Sequence, residues 1–252
     1  MSQAIQPWPD APERPVIGPA EVHVWLARLD QPEAALRALS ALLSDDELAR
    51  AARFRFPRDR EHFVAARGAL REILSRYTGT RPRLLGFDYD RYGKPSLRGE
   101  AGAAGLRFNV SHSGGVALYA LARGRAVGVD VELVREEFAG FDIAERFFAA
   151  REVAALRALQ PGERARAFFD CWTRKEAFVK ALGEGLSHPL DRFAVSLAPG
   201  EAAALVWTGE DPREAARWSL AALPVGDSYR AALAVEGEAT ALRLWRWPGP
   251  AL

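Results

Sequence analysis

The segment 172–183, with the sequence WTRKEAFVKALG, constrains the fold of this chain more than any other. Read as a helix that begins near Phe168, it places most of its apolar side chains on one arc. At 100° per residue, Lys175 projects from the middle of that arc, and Glu176 and Lys180 lie together on its edge, one turn apart. The arc itself consists of Phe168, Cys171, Trp172, Phe178, Val179 and Leu182.

Ordinary explanations of these charges compete with a functional one. Lys175 could snorkel, with its stem buried and its amine in water. Glu176 and Lys180 could form a plain helix ion pair worth about 0.2–0.5 kcal/mol, or the helix could be rotated from this estimate. These explanations are preferred for an isolated helix, so the interpretation depends on the rest of the chain.

Composition is that of a globular protein of one large domain or two of common size. The chain has 252 residues, of which 49% are hydrophobic and 27% charged, and its net charge is +1. This charge favours neither nucleic acid nor an anionic membrane as a partner. The single cysteine, Cys171, excludes an internal disulfide. We expect a cytoplasmic protein, because the proline-rich residues 1–20 lack a signal-peptide core and are predicted to form a loose arm.

Apolar patterning predicts a mixture of helices and strands. Ser44 and Glu47 have the spacing of a capping box at a helix start, and a long helix is predicted over 59–77, with Arg67 inside its apolar arc. A loop is expected over 99–105 and a mostly helical segment over 138–159, which Pro161 and the following glycine break. Strands are predicted over 21–29, 84–89, 108–110, 116–121, 126–133, 193–197, 204–207, 218–222, 229–235 and 240–247.

A faint internal similarity indicates two related halves with a boundary near Val127. An Arg-Phe pair precedes a long helix twice, at 53–54 and at 146–147. Within the two helices, Phe63, Arg67 and Leu70 correspond in spacing to Phe168, Trp172 and Lys175. Shared helix periodicity alone can also produce such a similarity.

Two carboxylates share one face of the strand VGVDVEL at 127–133. The valines alternate on the buried face, which leaves Gly128, Asp130 and Glu132 on the other. Acids two residues apart on a strand lie roughly 7 Å apart, and a divalent cation such as Mg²⁺ would relieve their repulsion. The alternative is an exposed strand face with two solvated acids.

Two further segments could hold phosphate. The sequence from Ser111 and His112 to two glycines offers hydroxyl and backbone donors at a turn, although a simple hairpin explains it equally well. In Lys94-Pro95 the proline fixes the direction of a basic side chain, although a solvated loop lysine is the simpler alternative.

Together and in this order, these motifs resemble the Sfp-type 4′-phosphopantetheinyl transferases, over about residues 44–197. The most specific part is G-x-D-x-E at 128–132, followed by W-x-x-K-E-A-x-x-K at 172–180. The resemblance implies an α+β fold of two similar α/β halves related by a pseudo-twofold axis. Each half would pack a small antiparallel-rich sheet with a long helix, and coenzyme A would bind in the cleft between them. The N-terminal half would span 21–127, with the coenzyme A contacts, and the C-terminal half 128–252, with the acids and the catalytic helix.

The resemblance also implies the roles of individual residues. Asp130, Glu132 and Glu176 match the acids around Mg²⁺, Glu176 also matches a proposed general base, and Lys180 matches a lysine beside the pyrophosphate. The catalytic residues would then be Glu176, Lys180 and Asp130. The coenzyme A contacts implied by resemblance or by position are Arg50, Arg53, Arg67, Lys94, Pro95, Ser111, His112, Lys175 and Lys180. One departure is Glu47, which occupies a place where the family often has a basic residue, so Arg53, His62 and Arg67 are candidates for the missing charge.

The expected reaction transfers 4′-phosphopantetheine from coenzyme A to a serine of an apo acyl, peptidyl or polyketide carrier protein and releases adenosine 3′,5′-bisphosphate. Mg²⁺ would be the cofactor and coenzyme A the co-substrate. Because one chain would contain both halves of the cleft, we expect a monomer. Two alternatives stay open at this point: a Mg²⁺-dependent phosphohydrolase or nucleotidyl enzyme, and a non-catalytic coenzyme A or carrier-binding module.

Overall fold

The computed structural model describes residues 8–135, 137, 140–183, 185, 188–209, 213–238 and 241–250. The helices in these ranges are α1 (Glu33–Ser40), α2 (Asp45–Ala51), α3 (Pro57–Thr78), α4 (Gly99–Ala103), α5 (Phe141–Phe147), α6 (Ala150–Ala158) and α7 (Pro161–Leu182). The strands are β1 (Glu21–Arg28), β2 (Phe87–Tyr89), β3 (Pro95–Leu97), β4 (Leu106–Ser113), β5 (Val116–Arg123), β6 (Val127–Leu133), β7 (Phe193–Val195), β8 (Leu205–Thr208), β9 (Trp218–Ala222), β10 (Tyr229–Glu236) and β11 (Ala241–Arg246). Within the described chain, no helix is both long and apolar enough to cross a membrane.

The chain runs through the same order of elements twice. The order is one strand, three helices, two short paired strands and two further strands. It runs from β1 to β5 and again from β6 to β10, with the short α4 as an addition in the first run. The first unit forms the sheet order β1-β5-β4 and the second the order β6-β10-β9, with antiparallel pairing throughout. The predicted α+β fold of two similar halves is confirmed.

The long helices α3 and α7 match in their ends. Each has 22 residues, has proline in its first turn and stops at a left-handed glycine, Gly79 with φ 70° and Gly183 with φ 78°. Proline lacks the N–H that the first turn leaves unpaired, and glycine adopts positive φ without a steric penalty. Pro161 therefore begins α7, seven residues before the predicted start near Phe168.

A buried ion pair anchors α3 in the first half. Arg71 Nε donates to Glu47 Oε2 at 2.6 Å, and Arg71 Nη1 donates to the carbonyl oxygens of Pro82 at 2.7 Å and Leu85 at 2.9 Å. Glu47 also accepts from the backbone N–H of Ser44 at 3.0 Å, which completes the predicted capping box of α2. The pair therefore ties α3 to the start of α2 and to the segment after α3.

The second half repeats this arrangement with Lys175. Its Nζ lies 2.7 Å from Glu152 Oε2 and donates to the carbonyl oxygens of Leu190 and Phe193, both at 2.7 Å. Glu152, like its counterpart, accepts from the backbone at the start of a short helix, here Ala149 N–H at 2.8 Å. Lys175 stands 14 residues after the first residue of α7, as Arg71 does in α3. The predicted correspondence of Lys175 with Leu70 is therefore wrong by one position.

The C-terminal strand crosses to the first half. β11 pairs in parallel with β1, from Glu21 opposite Ala241 to Leu26 opposite Arg246. The predicted boundaries, which assign all of 128–252 to the C-terminal half, are therefore corrected for this strand. Trp247 follows it into the first core and is 4% exposed.

Several local predictions also change. The described part of the N-terminal arm is packed, since Trp8 is buried and donates from Nε1 to the carbonyl oxygen of Pro224 at 2.8 Å; residues 1–7 lie outside the described residues. The expected loop at 99–105 contains α4, and the segment 138–159 divides into α5 and α6, with 138–139 outside the description. The strand expected over 84–89 is reduced to β2, and α1 was not predicted. Thr240, at the start of the last predicted strand, also lies outside the description.

Side chains of β4 join the two sheets. Asn109 Oδ1 accepts from Val129 N–H at 2.9 Å, Ser111 Oγ from Val131 N–H at 3.3 Å, and Ser113 Oγ from the N–H of Leu133 at 3.1 Å. The spacing of two places these three polar side chains on one face of β4. They satisfy backbone donors along the edge of β6 that no strand of the described ranges covers, and so tie the two halves together beside the cleft.

Gly128 allows α7 to lie directly on β6. A Cβ atom at this position would be 2.0 Å from the Ala177 carbonyl oxygen and 2.4 Å from the Ala181 backbone nitrogen. Helix backbone therefore occupies the space that any other residue type would need. This contact accounts for the glycine in the G-x-D-x-E motif.

We predict that Gly128→Ala destabilises the protein by about 3 kcal/mol, because neither backbone atom can move without shifting α7. At about 2–4 °C per kcal/mol, thermal denaturation should show a fall in Tm of about 6–12 °C. The matched control is Gly162→Ala, in the first turn of α7, where a Cβ atom meets nothing within 4 Å. A Gly128→Ala variant as stable as that control would contradict the assigned contact.

Candidate active site

Two acids of β6 and two charged residues of α7 meet at the junction of the halves. Asp130, Glu132, Glu176 and Lys180 line a cavity of about 340 Å³. The remaining lining residues are Val110, Ser111, His112 and Trp172. The cavity therefore gathers, from the two elements β6 and α7, the predicted catalytic residues and the predicted metal ligands.

Asp130 is the most deeply buried acid of this cavity, with 2% exposure. Its Oδ1 accepts from Lys180 Nζ at 2.6 Å and from Ser111 Oγ at 2.8 Å. Lys180 Nζ also donates to Ser111 Oγ at 3.0 Å, which closes a triangle of polar groups. The other carboxylate oxygen, Oδ2, is buried and has no hydrogen-bond partner.

The two glutamates carry raised pKa values. Burial, and next the charge of Asp130, raises the pKa of Glu176 and also the pKa of Glu132. Ser113 Oγ donates to Glu132 Oε2 at 2.8 Å, while Glu176 Oε1 is buried without a partner. Three carboxylates thus face one ammonium group, and the excess negative charge is only partly solvated.

The donor chemistry of this cluster suits a hard divalent cation, which prefers carboxylate oxygens. Two of the three acids, Asp130 and Glu176, each present a buried oxygen that lacks a partner. Among the described residues, however, no three His, Cys, Asp or Glu side chains are grouped closely enough to form a metal site as they stand. Asp130, Glu132 and Glu176 are therefore candidate ligands whose side chains would have to converge.

A second cavity of about 540 Å³ adjoins the first and shares Val110 and His112 with it. Its basic side chains are Arg50, Arg67, His62 and His112, and its apolar wall includes Pro95, Phe54, Phe63, Ala66 and Leu70. The lining also includes one acid, Asp59. A pocket with two guanidinium groups and an apolar wall can bind a phosphorylated nucleotide. Arg53, also predicted as a contact, is exposed and lines neither cavity.

Arg67 is held in place at the rim of the second cavity. It forms an ion pair with Glu47 and donates to the Tyr89 hydroxyl, and its guanidinium lies 4.3 Å from the Phe87 ring centroid. Glu47, the departure from the family pattern, is thus a structural acid that orients Arg67. Burial, and next the charge of Lys180, lowers the pKa of His112, which favours its neutral form.

Two predicted coenzyme A contacts lie elsewhere. Lys175 is fully buried in the ion pair with Glu152, so its interpretation as a phosphate contact is corrected. Lys94 points to the end of α7, where its Nζ donates to the Lys180 carbonyl oxygen at 2.5 Å, and it lines neither cavity. The motif at 183–186 is only partly described, since Glu184 and Leu186 lie outside the described residues.

The sequence interpretation did not identify three residues that shape the site. Asn109 and Ser113, with Ser111, form the β4 ladder, which is the set of β4 side chains that accept hydrogen bonds from the β6 backbone. Their alternation along the sequence predicts that the three polar side chains share one face of a strand. Glu152 fixes Lys175 and also accepts from the Val195 N–H at 2.8 Å, and its place three residues into α6 was the corresponding signal.

Both halves of the chain are similar to known proteins. Residues 126–234 match the 4′-phosphopantetheinyl transferase superfamily, and residues 29–123 match the N-terminal region of 4′-phosphopantetheinyl transferases. The chain is 42% identical over 227 residues to the 4′-phosphopantetheinyl transferase HetI of Nostoc sp., which covers 90% of this chain and 92% of that protein. It is 31% identical over 157 residues to the 4′-phosphopantetheinyl transferase Sfp of Bacillus subtilis, which covers 62% and 67%. A crystal structure of Thermotoga maritima holo-[acyl-carrier-protein] synthase matches 45% of this chain and 63% of its own at 25% identity, with a TM-score of 0.37.

We predict that Glu176→Gln raises the free energy of unfolding by about 1 kcal/mol at about pH 7.5 in the presence of a chelator, or about 2–4 °C in Tm. A carboxyl group whose pKa is raised by folding contributes stability below its unfolded pKa and loses it as the pH rises through the folded pKa. The gain from the substitution should therefore shrink as the pH falls through about 4, because well below the unfolded pKa the carboxyl is neutral in both states. Thermal denaturation across this pH range measures it.

The matched control for this prediction is Glu61→Gln, on the exposed surface of α3. The difference in free energy of unfolding between this control and the wild type should not show the pH dependence expected for Glu176→Gln. A Glu176→Gln variant that is less stable than the wild type near neutral pH would show that the glutamate has a favourable partner.

Proposed function

Because the chain belongs to the 4′-phosphopantetheinyl transferase family, as its 42% identity to HetI over nearly all of both proteins establishes, we propose that it transfers 4′-phosphopantetheine from coenzyme A to a serine of an apo carrier protein. The other product is adenosine 3′,5′-bisphosphate. The observation that carries this proposal is the cluster of Asp130, Glu132, Glu176 and Lys180 at the junction of the halves. It supplies both a base and cationic stabilisation beside a pocket suited to a nucleotide.

Coenzyme A would occupy the two adjoining cavities. Its nucleotide end fits the larger one, where Arg50 and Arg67 supply positive charge and Pro95 an apolar surface. Its diphosphate would then reach the smaller cavity, past Ser111 and His112, to Lys180. The shared wall at Val110 and His112 makes this path continuous.

In the proposed mechanism, Glu176 accepts the proton of the attacking serine hydroxyl. Its raised pKa brings a carboxylate closer to the range in which a base works at neutral pH. Lys180, held 2.6 Å from Asp130, stabilises the negative charge that grows on the phosphoryl oxygens and on the leaving bisphosphate. Asp130 and Ser111 orient the lysine ammonium group by accepting from it.

Asp130, Glu132 and Glu176 would hold Mg²⁺, which when bound supplies Lewis-acid stabilisation of the diphosphate. The two buried carboxylate oxygens without partners support this assignment. We also propose that the protein is a monomer, because the cleft is assembled from both halves of a single chain, and that it is cytoplasmic.

The decisive assay mixes the protein, coenzyme A, Mg²⁺ and an apo acyl or peptidyl carrier protein and then weighs the carrier. We expect the mass of the carrier to rise by one phosphopantetheine group and adenosine 3′,5′-bisphosphate to appear in equal amount. Asp130→Ala should lower the rate by at least about 10³-fold, because it removes the partner of Lys180 and a candidate metal ligand.

Failure to modify any carrier tried, whether of fatty acid or secondary metabolism, would refute the transferase proposal. Hydrolysis of coenzyme A without a carrier would instead favour a Mg²⁺-dependent phosphohydrolase. Tight binding of coenzyme A without either reaction would favour a non-catalytic binding module.

We predict a pH-dependent stabilisation by Mg²⁺. At a metal concentration about ten times the dissociation constant, the free energy of unfolding should rise by about 1.4 kcal/mol. The rise should be larger at about pH 7.5 than at about pH 5, because Glu132 and Glu176 with raised pKa values bind protons in place of metal at the lower pH. Thermal denaturation with added MgCl₂ measures this without any activity readout.

In this experiment Asp130→Asn should lose most of the Mg²⁺ response, while Glu61→Gln should keep it. Equal responses of Asp130→Asn and the wild type would exclude Asp130 as a ligand.

A further inference from the structure

Lys94 belongs to the first half but ends against the second. It lies in the turn between β2 and β3, and Asp90 Oδ1 fixes that turn by accepting from the N–H groups of Tyr92 at 2.8 Å and Lys94 at 2.9 Å. Pro95 follows and restricts the backbone further. The side chain therefore leaves a rigid turn in a set direction.

The Lys94 ammonium group meets three backbone carbonyls. Its Nζ donates to the carbonyl oxygens of Lys180 at 2.5 Å and Ala181 at 3.2 Å, and it lies 3.5 Å from that of Val127. Carbonyls in the last turn of a helix lack intrahelical partners, and a cation there is favourable. Because an ammonium group has three N–H donors, these acceptors leave Lys94 no free donor for a phosphate.

These carbonyls belong to the two elements that carry the candidate active site. Lys180 is bound through its backbone by Lys94 and through its side chain by Asp130, at 2.6 Å. Val127 begins β6, three residues before Asp130. Lys94 therefore contacts the backbone of Lys180 and the start of the strand that carries Asp130.

The location of Lys94 is also separate from the acids. It lines a cavity of about 460 Å³ whose walls include Arg107, Arg125 and Gly183, and none of the residues lining that cavity lines the one with Asp130 and Glu176. Burial lowers the pKa of Lys94, as expected for an ammonium group enclosed by protein.

We propose that Lys94 is a positioning residue: its ammonium group clamps the last turn of α7 to the start of β6 and so holds Lys180 at Asp130. This role differs from the direct contact with coenzyme A that the resemblance implies for the same lysine. It rests on the proposed transferase activity, because only a working site reveals the effect on catalysis. The clamp itself is a property of the fold and can be tested separately.

The kinetic test compares Lys94→Met with the wild type, because methionine keeps much of the stem and removes the donors. A misplaced Lys180 should lower kcat by about 10- to 100-fold, while KM for coenzyme A should stay within about twofold. The matched control is Arg107→Met, an exposed cation lining the same cavity, which should keep wild-type kinetics. A rise in KM for coenzyme A with unchanged kcat would overturn the proposal in favour of direct contact.

A double-mutant cycle separates positioning from a general loss of structure. In a Lys180→Met background the clamp has no ammonium group left to position, so adding Lys94→Met should cost less than about twofold further in kcat. Full additivity of the two losses would show that Lys94 acts independently of Lys180.

Hydrogen exchange tests the clamp without any activity. Amides 179–183, including the Gly183 N–H that donates to the Val179 carbonyl at 3.1 Å, should exchange at least about tenfold faster in Lys94→Met. Unchanged exchange would overturn the clamp even if transfer is observed, whereas faster exchange in a protein that modifies no carrier would refute the proposed function alone. If Lys94→Met does not fold, Lys94→Gln retains two donors and takes its place in each comparison, with smaller effects in the same directions.

Discussion

The direct contact of α7 with β6 at Gly128 determines the geometry of the whole site. Because a Cβ atom there would lie 2.0 Å from the Ala177 carbonyl oxygen, helix and strand approach each other at backbone distance. At that separation the Lys180 side chain reaches Asp130, and Glu176 lines the same cavity. The β4 ladder, which pairs Asn109 and two serines with the β6 backbone, then adds the other half of the protein on the open edge of the same strand. The reactive groups thus rest on one backbone-to-backbone contact and on hydrogen bonds from polar side chains to a strand backbone.

The chain contains two kinds of buried charge, and their surroundings separate structure from chemistry. Lys175 and Glu152 form a pair with every close contact satisfied, since the ammonium meets a carboxylate and two carbonyl oxygens. The cluster around Asp130 is different, because three acids share one lysine and two of their oxygens are buried without partners. A fully paired group is inert and stabilises the fold, whereas an unbalanced cluster retains affinity for a cation and an altered proton affinity. Glu176 is next to Lys175 in sequence, yet the helical turn places it in the second environment.

Sequence periodicity was sufficient to predict which side chains of the site share a face of one helix or one strand. Alternation along β6 placed Asp130 and Glu132 on one face, and the helical spacing of α7 placed Glu176 beside Lys180. It was insufficient where the partner lies far away in sequence. The role of Lys175 depends on Glu152 and on carbonyls at 190 and 193, the Lys94 ammonium binds a carbonyl 86 residues later, and β11 joins β1 from the other end of the chain. Such pairings follow from tertiary packing, which residue spacing within one segment does not encode.

The two similar halves offer two equivalent positions for a site, and the charged cluster lies at the position in the second half. Glu72 and Arg76 of α3 occupy the places that Glu176 and Lys180 occupy in α7, counted from the first residue of each helix. Here, however, Glu72 accepts from Trp247 Nε1 at 2.9 Å, and Arg76 lies 5.4 Å from the Trp25 ring centroid.

The corresponding edges of β6 and β1 also differ between the two halves. β6 leaves one edge to the polar side chains of β4, whereas the corresponding edge of β1 is covered by β11. The C-terminal strand and Trp247 therefore close the position in the first half that is the cleft in the second. Glu72 there has the Trp247 N–H as a hydrogen-bond donor and the charge of Arg76 nearby. The two similar halves thus differ through the C-terminal strand, which fills in one half the place where the other half carries its charged cluster.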